Sequence, residues 1–129
     1  DKGIRNIFNY GHSFGHAIEA ATSFKIPHGI AVSIGMDIAN HIAVMRGLMD
    51  EKHSDRMHQV LSKNYDNFLE IIIPFDEMLS ALLKDKKNTE KNLVLILPNG
   101  EDAKIERFKV RPDDIFKSQC QNVLALLNS

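Results

Sequence analysis

The stretch from Gly29 to Met45 constrains the fold more than any other part of the sequence, because nearly all of its residues are apolar. A helix that is apolar around most of its circumference is buried among other elements. The stretch is shorter than the run of about 20 apolar residues that a membrane-spanning helix needs. Gly47 follows it as a stop signal. The sequence therefore predicts a central, buried helix.

Shorter patterns on either side predict further helices. The segment from about Ile7 to Thr22 is typical of a helix with an irregular, glycine-containing start. Asp50 can cap an amphipathic helix that follows it, and Pro74 precedes another helix. The apolar residues that predict a core face on this later helix are Met78, Leu79, Leu82 and Leu83.

The last third of the chain predicts a β-hairpin and a terminal helix. Leu93–Leu97 and Ala103–Val110 have the patterns of strands, and the Pro98–Gly100 segment between them is typical of a turn. A last helix then opens with the residues Pro112, Asp113 and Asp114. We expect both aspartates in its first turn, where acidic groups favour the helix dipole. The predicted fold is mainly α with one small β-hairpin.

Composition argues against several classes of protein. The chain has 129 residues, 43% of them hydrophobic, and a formal net charge of -1, which predicts one globular domain that does not bind nucleic acid. No apolar run predicts a membrane span. The single cysteine, Cys120, cannot form an internal disulfide, favours a reducing compartment and is expected to be buried. Asp1 to Arg5 show no initiator methionine and no signal-peptide pattern, so we expect the chain to start at a cut.

Three of the six histidines, His12, His16 and His28, fall in one short segment. His12 and His16 are four residues apart and project from one face of a helix. A loop-to-helix junction can turn His28 back toward them, and imidazole is a common ligand of zinc. Gly11 and Gly15 leave one side of the first helix bare, either for close packing or for a ligand. The residues alone indicate a metal site or an acid–base site.

Three segments resemble the dehydroquinate synthases and their sugar phosphate cyclase relatives. Arg5 to Glu19 is similar to the family signature R-x-x-L-N-F-G-H-T-F-G-H-A-I-E. Ile26 to Met36 is similar to the block H-G-E-A-V-A-I-G-M, and Leu83 to Asn88 resembles a segment with D-K-K-N. The first two motifs stand at the spacing seen in the family, so the resemblance is specific.

The resemblance implies the helical C-terminal domain of the dehydroquinate-synthase-like fold over residues 1–129, with NAD bound mainly by an N-terminal domain outside this chain. It implies a divalent metal ion, zinc or cobalt, held by His12, by His28 and by a glutamate upstream of the chain. His16 matches a catalytic histidine that contacts the substrate phosphate and takes part in proton transfer.

The resemblance also implies residues that bind the substrate. Arg5 matches an arginine that binds the substrate carboxylate, and Asn9 matches an asparagine at the phosphate. One of Lys86 and Lys87 matches a phosphate-binding lysine. Arginine suits the first role because its planar fork fits a carboxylate.

Two positions depart from the family pattern. Ile30 stands where the family usually has glutamate, and Ser13 where it usually has threonine. Glu19 is expected to be an exposed helical glutamate, with orientation of a neighbouring imidazole as the alternative. The remaining histidines are expected on solvated or partly buried helical faces: His41, His53 and His58.

The function implied by the resemblance is that of a 3-dehydroquinate synthase, a lyase that cyclises a seven-carbon phosphorylated sugar acid in the shikimate pathway. The full-length parent is then expected to be a cytoplasmic homodimer, and the chain alone to be inactive and to bind zinc poorly. One alternative is another sugar phosphate cyclase, such as 2-deoxy-scyllo-inosose synthase. Two others are a metal-dependent alcohol dehydrogenase of related architecture and a non-catalytic helical scaffold domain.

Overall fold

The computed structural model describes residues 11–68, 70–84, 93–99 and 104–128. Within these residues the chain forms five α-helices, a short 3₁₀ helix and a two-stranded antiparallel sheet. The elements in order are α1 (His12–Ala21), α2 (His28–Met45), α3 (Glu51–Tyr65), the 3₁₀ helix (Asp66–Phe68), α4 (Phe75–Leu83), β1 (Leu93–Asn99), β2 (Lys104–Val110) and α5 (Asp114–Asn128). The predicted mainly α fold with a β-hairpin is confirmed.

The central position predicted for the apolar helix is also confirmed. α2 contacts α1, α3, β1 and α5, and its residues Ile34, Ile38 and Ile42 are fully buried. The helix ends where Gly47 takes a left-handed conformation with φ 73°. There the amide of Leu48 donates to the carbonyl of Ala43 at 2.8 Å, which closes the helix end. No helix in the described residues is long and apolar enough to cross a membrane.

Glycines allow α1 and α2 to approach closely. A β-carbon on Gly35 of α2 would lie 2.2 Å from the carbonyl oxygen of Gly11 and 2.8 Å from the amide nitrogen of Gly15. Gly11 itself precedes α1 with φ 83°, a conformation that favours glycine. The bare side of the first helix therefore serves for close packing against α2. This close contact fixes the positions of the first residues of α1 and α2 relative to each other.

The N-terminal cap of α3 is the predicted one, whereas that of α5 differs from the prediction. The side chain of Asp50 accepts a hydrogen bond from the amide of Lys52 at 2.9 Å, so its predicted capping role is confirmed. Asp113 was expected in the first turn of the last helix, but α5 begins at Asp114. Asp113 instead caps this helix, since its Oδ1 accepts from the amide of Phe116 at 3.0 Å.

Two details of the other predicted elements are wrong. Pro98 and Asn99 pair with Ile105 and Lys104, so both extend β1 and do not form the turn. Both strands of a two-stranded sheet are edge strands, and an edge tolerates a proline that lacks an N–H group. On α4, Met78 and Leu82 are buried as predicted, whereas Leu83 is 40% exposed at the C-terminal end of the helix.

Candidate metal centre

Two helix starts bring the three imidazoles together. His12 begins α1, with His16 one turn later on the same face, and His28 begins α2. The connection between the helices reverses through Ser23 and Phe24, which both have positive φ angles. The ring centroids of His12 and His28 lie 5.5 Å apart, those of His16 and His28 5.6 Å, and those of His12 and His16 5.9 Å. The predicted convergence is therefore present.

These separations fit a shared metal ion. Two imidazoles bound to one tetrahedral zinc at about 2.0–2.1 Å have ring centroids about 5 Å apart. The spacing of His12 and His28 comes close to this value, and the other two pairs are only slightly wider. The side chains of His16 and His28 are 63% and 54% exposed, so a metal ion or a substrate can reach them from the surface.

Glu19 is the fourth member of the cluster. Its Oε1 lies 2.8 Å from Nδ1 of His28 and 3.7 Å from Nδ1 of His16. Glu19 is only 9% exposed, so the expectation of an exposed helical glutamate is wrong and the alternative, a contact with a neighbouring imidazole, is found. The carboxylate and the rings of His16 and His28 offer ligand atoms within 4.8 Å of one another.

Comparison with known proteins identifies the family. The sequence model of a family described as 3-dehydroquinate synthase C-terminal matches residues 1–88, which include all three histidines of the cluster. The chain belongs to this family. It is 36% identical over 118 residues to the 3-dehydroquinate synthase of Campylobacter curvus, covering 91% of this chain and 34% of that protein. It is 43% identical over 100 residues to the 3-dehydroquinate synthase of Prochlorococcus marinus, covering 76% of this chain and 27% of that protein.

A solved structure of another enzyme has a similar fold. A crystal structure of 2-deoxy-scyllo-inosose synthase, complexed with carbaglucose-6-phosphate, NAD+ and Co2+, superposes with a TM-score of 0.71 at 30% identity. The match covers 92% of this chain and 34% of that one. The chain thus spans about a third of the length of these relatives.

The family resemblance also concerns residues beyond the three histidines. Arg5, Asn9, Lys86 and Lys87 lie outside the described residues. Ile30, at the position where the family usually has glutamate, is partly buried and packs against the hydrophobic core. In this chain the residue therefore contributes to packing.

A second polar cluster lies further along α2, away from His12, His16 and His28. Asp37, in the middle of α2, is fully buried and accepts hydrogen bonds from Nδ1 of His58 and from the hydroxyl of Tyr65. His41 donates from Nδ1 to the backbone carbonyl of Asp37 at 2.7 Å. Burial, and then the hydrogen bond to Asp37, raise the pKa of the Tyr65 hydroxyl. His41 and His58 have the partly buried positions expected for them, whereas the burial of Asp37 was not predicted.

Proposed function

We propose that the chain is the metal- and substrate-binding part of a 3-dehydroquinate synthase. The full-length parent would cyclise a seven-carbon phosphorylated sugar acid with loss of phosphate, in the shikimate pathway. The observation that carries the proposal is the convergence of His12, His16 and His28 within segments that match the family. The 3-dehydroquinate synthases among its relatives support this activity over the alternatives.

The metal in this proposal is zinc, or cobalt, held by His12, by His28 and by a glutamate upstream of the chain. The spacing of the two rings supports the assignment. Once bound, the ion would supply a Lewis acid for a hydroxyl or carbonyl oxygen of the substrate. A catalytic zinc site normally uses three protein ligands and leaves one position open. The chain alone would therefore bind the metal weakly, and without the NAD-binding domain it would be inactive.

The remaining residues of the site would handle the substrate. Arg5 would bind the carboxylate through its guanidinium fork. Asn9 and one of Lys86 and Lys87 would bind the phosphate. His16 would contact the phosphate and move a proton, which suits an imidazole near neutral pH. The 63% exposure of the His16 side chain supports this role, because substrate can approach the ring directly.

A second candidate is a cyclase for a different sugar phosphate. Two structures of 2-deoxy-scyllo-inosose synthase resemble this fold, with TM-scores of 0.71 and 0.68. Arg5 favours the first candidate, because a substrate without a carboxylate gives this arginine no partner. A non-catalytic scaffold would bind neither metal nor NAD. We further propose that the parent is a cytoplasmic homodimer, which sedimentation of the full-length protein would test.

The decisive experiment measures phosphate release by the full-length protein with NAD and zinc. We expect turnover of the seven-carbon acid and little turnover of a hexose 6-phosphate. Arg5→Ala should weaken use of the acid by about 3–5 kcal/mol, the cost of removing one partner of a buried charge pair. Arg111→Ala, at an exposed position after β2, is the matched control and should change nothing.

Two other results would each assign a different function, and a third would change the role of Arg5. Turnover of the hexose phosphate alone would assign the second candidate. No turnover, with neither zinc nor NAD bound, would assign a scaffold. Normal turnover of the acid by Arg5→Ala would show that this arginine does not bind the carboxylate.

A further inference from the structure

The contact between Glu19 and His28 points to a positioning role inside the proposed metal site. Resting on the proposed function, we infer that Glu19 holds the His28 ring by accepting a hydrogen bond from Nδ1–H and so presents Nε2 to the metal. Glu19 would not itself bind the ion. The paired ring, not the carboxylate, would be the ligand.

The two groups have very different environments. The Glu19 side chain is 11% exposed, whereas the His28 side chain is 54% exposed at the first residue of α2. An exposed imidazole that nothing holds can rotate about its side-chain bonds and can carry its proton on either nitrogen. The carboxylate, 2.8 Å from Nδ1, removes both freedoms because it can only accept a hydrogen bond. A neutral ring then keeps its proton on Nδ1 and its lone pair on Nε2.

Glu19 is well anchored for this task. Its neighbour Ile18 is fully buried, and α1 is fixed against α2 by the glycine crossing. The backbone carbonyl of Glu19 accepts a hydrogen bond from the amide of Phe24 at 2.8 Å, inside the turn that leads back to His28. The same residue thus supports the connection that returns His28 and the side chain that orients it. Histidines that bind metals usually donate their second ring N–H in this way.

Direct binding of the ion by Glu19 fits the distances less well. Two ligand atoms on a tetrahedral zinc stand about 3.4 Å apart. The 2.8 Å between Glu19 Oε1 and His28 Nδ1 is instead the length of a hydrogen bond. Direct binding would also use Nδ1 of His28 and would need the two groups to move apart.

The test compares the full-length wild type with Glu19→Ala, Glu19→Gln and the control Glu51→Gln, an exposed glutamate at the start of α3. Zinc affinity is measured by calorimetry with Zn²⁺ alone. The tautomer of His28 is read in the zinc-free protein from its ring ¹⁵N shifts at about pH 8, where an ordinary imidazole is neutral.

Positioning predicts a graded response. Glu19→Ala should lose about 10–100-fold in zinc affinity and shift the His28 proton toward Nε2. Glu19→Gln keeps an oxygen acceptor, so it should keep the Nδ1–H tautomer and recover most of the affinity. The control should match the wild type in both measurements.

Three results would overturn the inferred role of Glu19. A fourth result, given last, would instead overturn the proposed function. Loss of zinc binding by more than about 1,000-fold in both Glu19 variants would make Glu19 a direct ligand. A His28 ring that is Nε2–H in the wild type would exclude the inferred hydrogen bond. Unchanged zinc affinity in a folded Glu19→Ala would leave Glu19 only a structural role. A wild type that takes up no zinc would overturn the proposed function itself.

Discussion

Replacing Gly35 by alanine would put a β-carbon where the backbone of α1 already lies. The new atom would be 2.2 Å from the carbonyl oxygen of Gly11 and 2.8 Å from the amide nitrogen of Gly15. Both contacts are with backbone atoms, so no side-chain rotation relieves them. Relief requires α1 and α2 to separate by about 1 Å, judged from ordinary contact distances.

The expected cost follows from two opposing terms. Overpacking of a tight contact costs about 1–3 kcal/mol and occasionally more, while replacing a helical glycine by alanine returns up to about 1 kcal/mol. Since Gly35 meets rigid backbone at two points, we expect a net loss of about 2 kcal/mol in the free energy of unfolding. Zinc affinity should fall as well, because the displaced helices carry the imidazoles.

Urea unfolding of the full-length protein measures this loss, with Gly29→Ala as the matched control. Gly29 is also a glycine of α2, but a β-carbon there meets nothing within 4 Å. Gly29→Ala should therefore be neutral or stabilising by up to about 1 kcal/mol. A Gly35→Ala protein within about 0.5 kcal/mol of the wild type would refute the close crossing of the two helices.

Three further predictions concern other parts of the molecule. Tyr65→Phe should lower the free energy of unfolding by about 1.5–3 kcal/mol, because the buried Asp37 loses a donor. The pKa of Tyr65 is raised in the folded state, so the stability that its hydroxyl contributes is present below about pH 10 and lost above it. Urea unfolding at rising pH should therefore show a steeper fall in the free energy of unfolding for the wild type than for Tyr65→Phe. An equal fall with pH in the two proteins would contradict this. Burial raises the pKa of the Cys120 thiol to about 12, so a thiol reagent should modify the protein only after unfolding. Rapid reaction of the native protein would show that Cys120 is not buried. The 129-residue chain alone should bind zinc at least about 100-fold more weakly than its full-length parent by calorimetry. Equal affinity would show that the third ligand lies within this chain, and Glu19 would be the first residue to test.

The burial of the central helix α2 was predictable because most of its residues are apolar. Apolar residues stand around most of the circumference of α2, so the helix has to be packed against other elements on several sides. The pairing of His12 with His16 was predictable for a similar reason, since a spacing of four residues is local helical geometry.

The burial of Glu19 was not predictable in the same way. It depends on a turn in which Ser23 and Phe24 both adopt positive φ angles and bring His28 back to α1. A weaker signal was present, because Glu19 stands three residues after His16 and seven after His12, on the same helical face. The sequence suggested the face but not what would cover it.

Asp37 gives a second case in which long-range packing decided the outcome. It is a charged residue inside the apolar run of α2, and a buried charge needs partners. The partners, His58 and Tyr65, come from α3 and are more than twenty residues away in sequence. Only the packing of α3 on α2 shows which side chains they are.

Anomalous X-ray diffraction at the zinc edge, from crystals of the full-length protein grown with zinc, would locate the metal ion and its ligands. We predict one peak bonded to His12 and to Nε2 of His28, with a glutamate upstream of this chain as the third protein ligand and His16 unbound. No peak among the imidazoles, or a peak bonded to His16, Glu19 and Nδ1 of His28, would contradict the account.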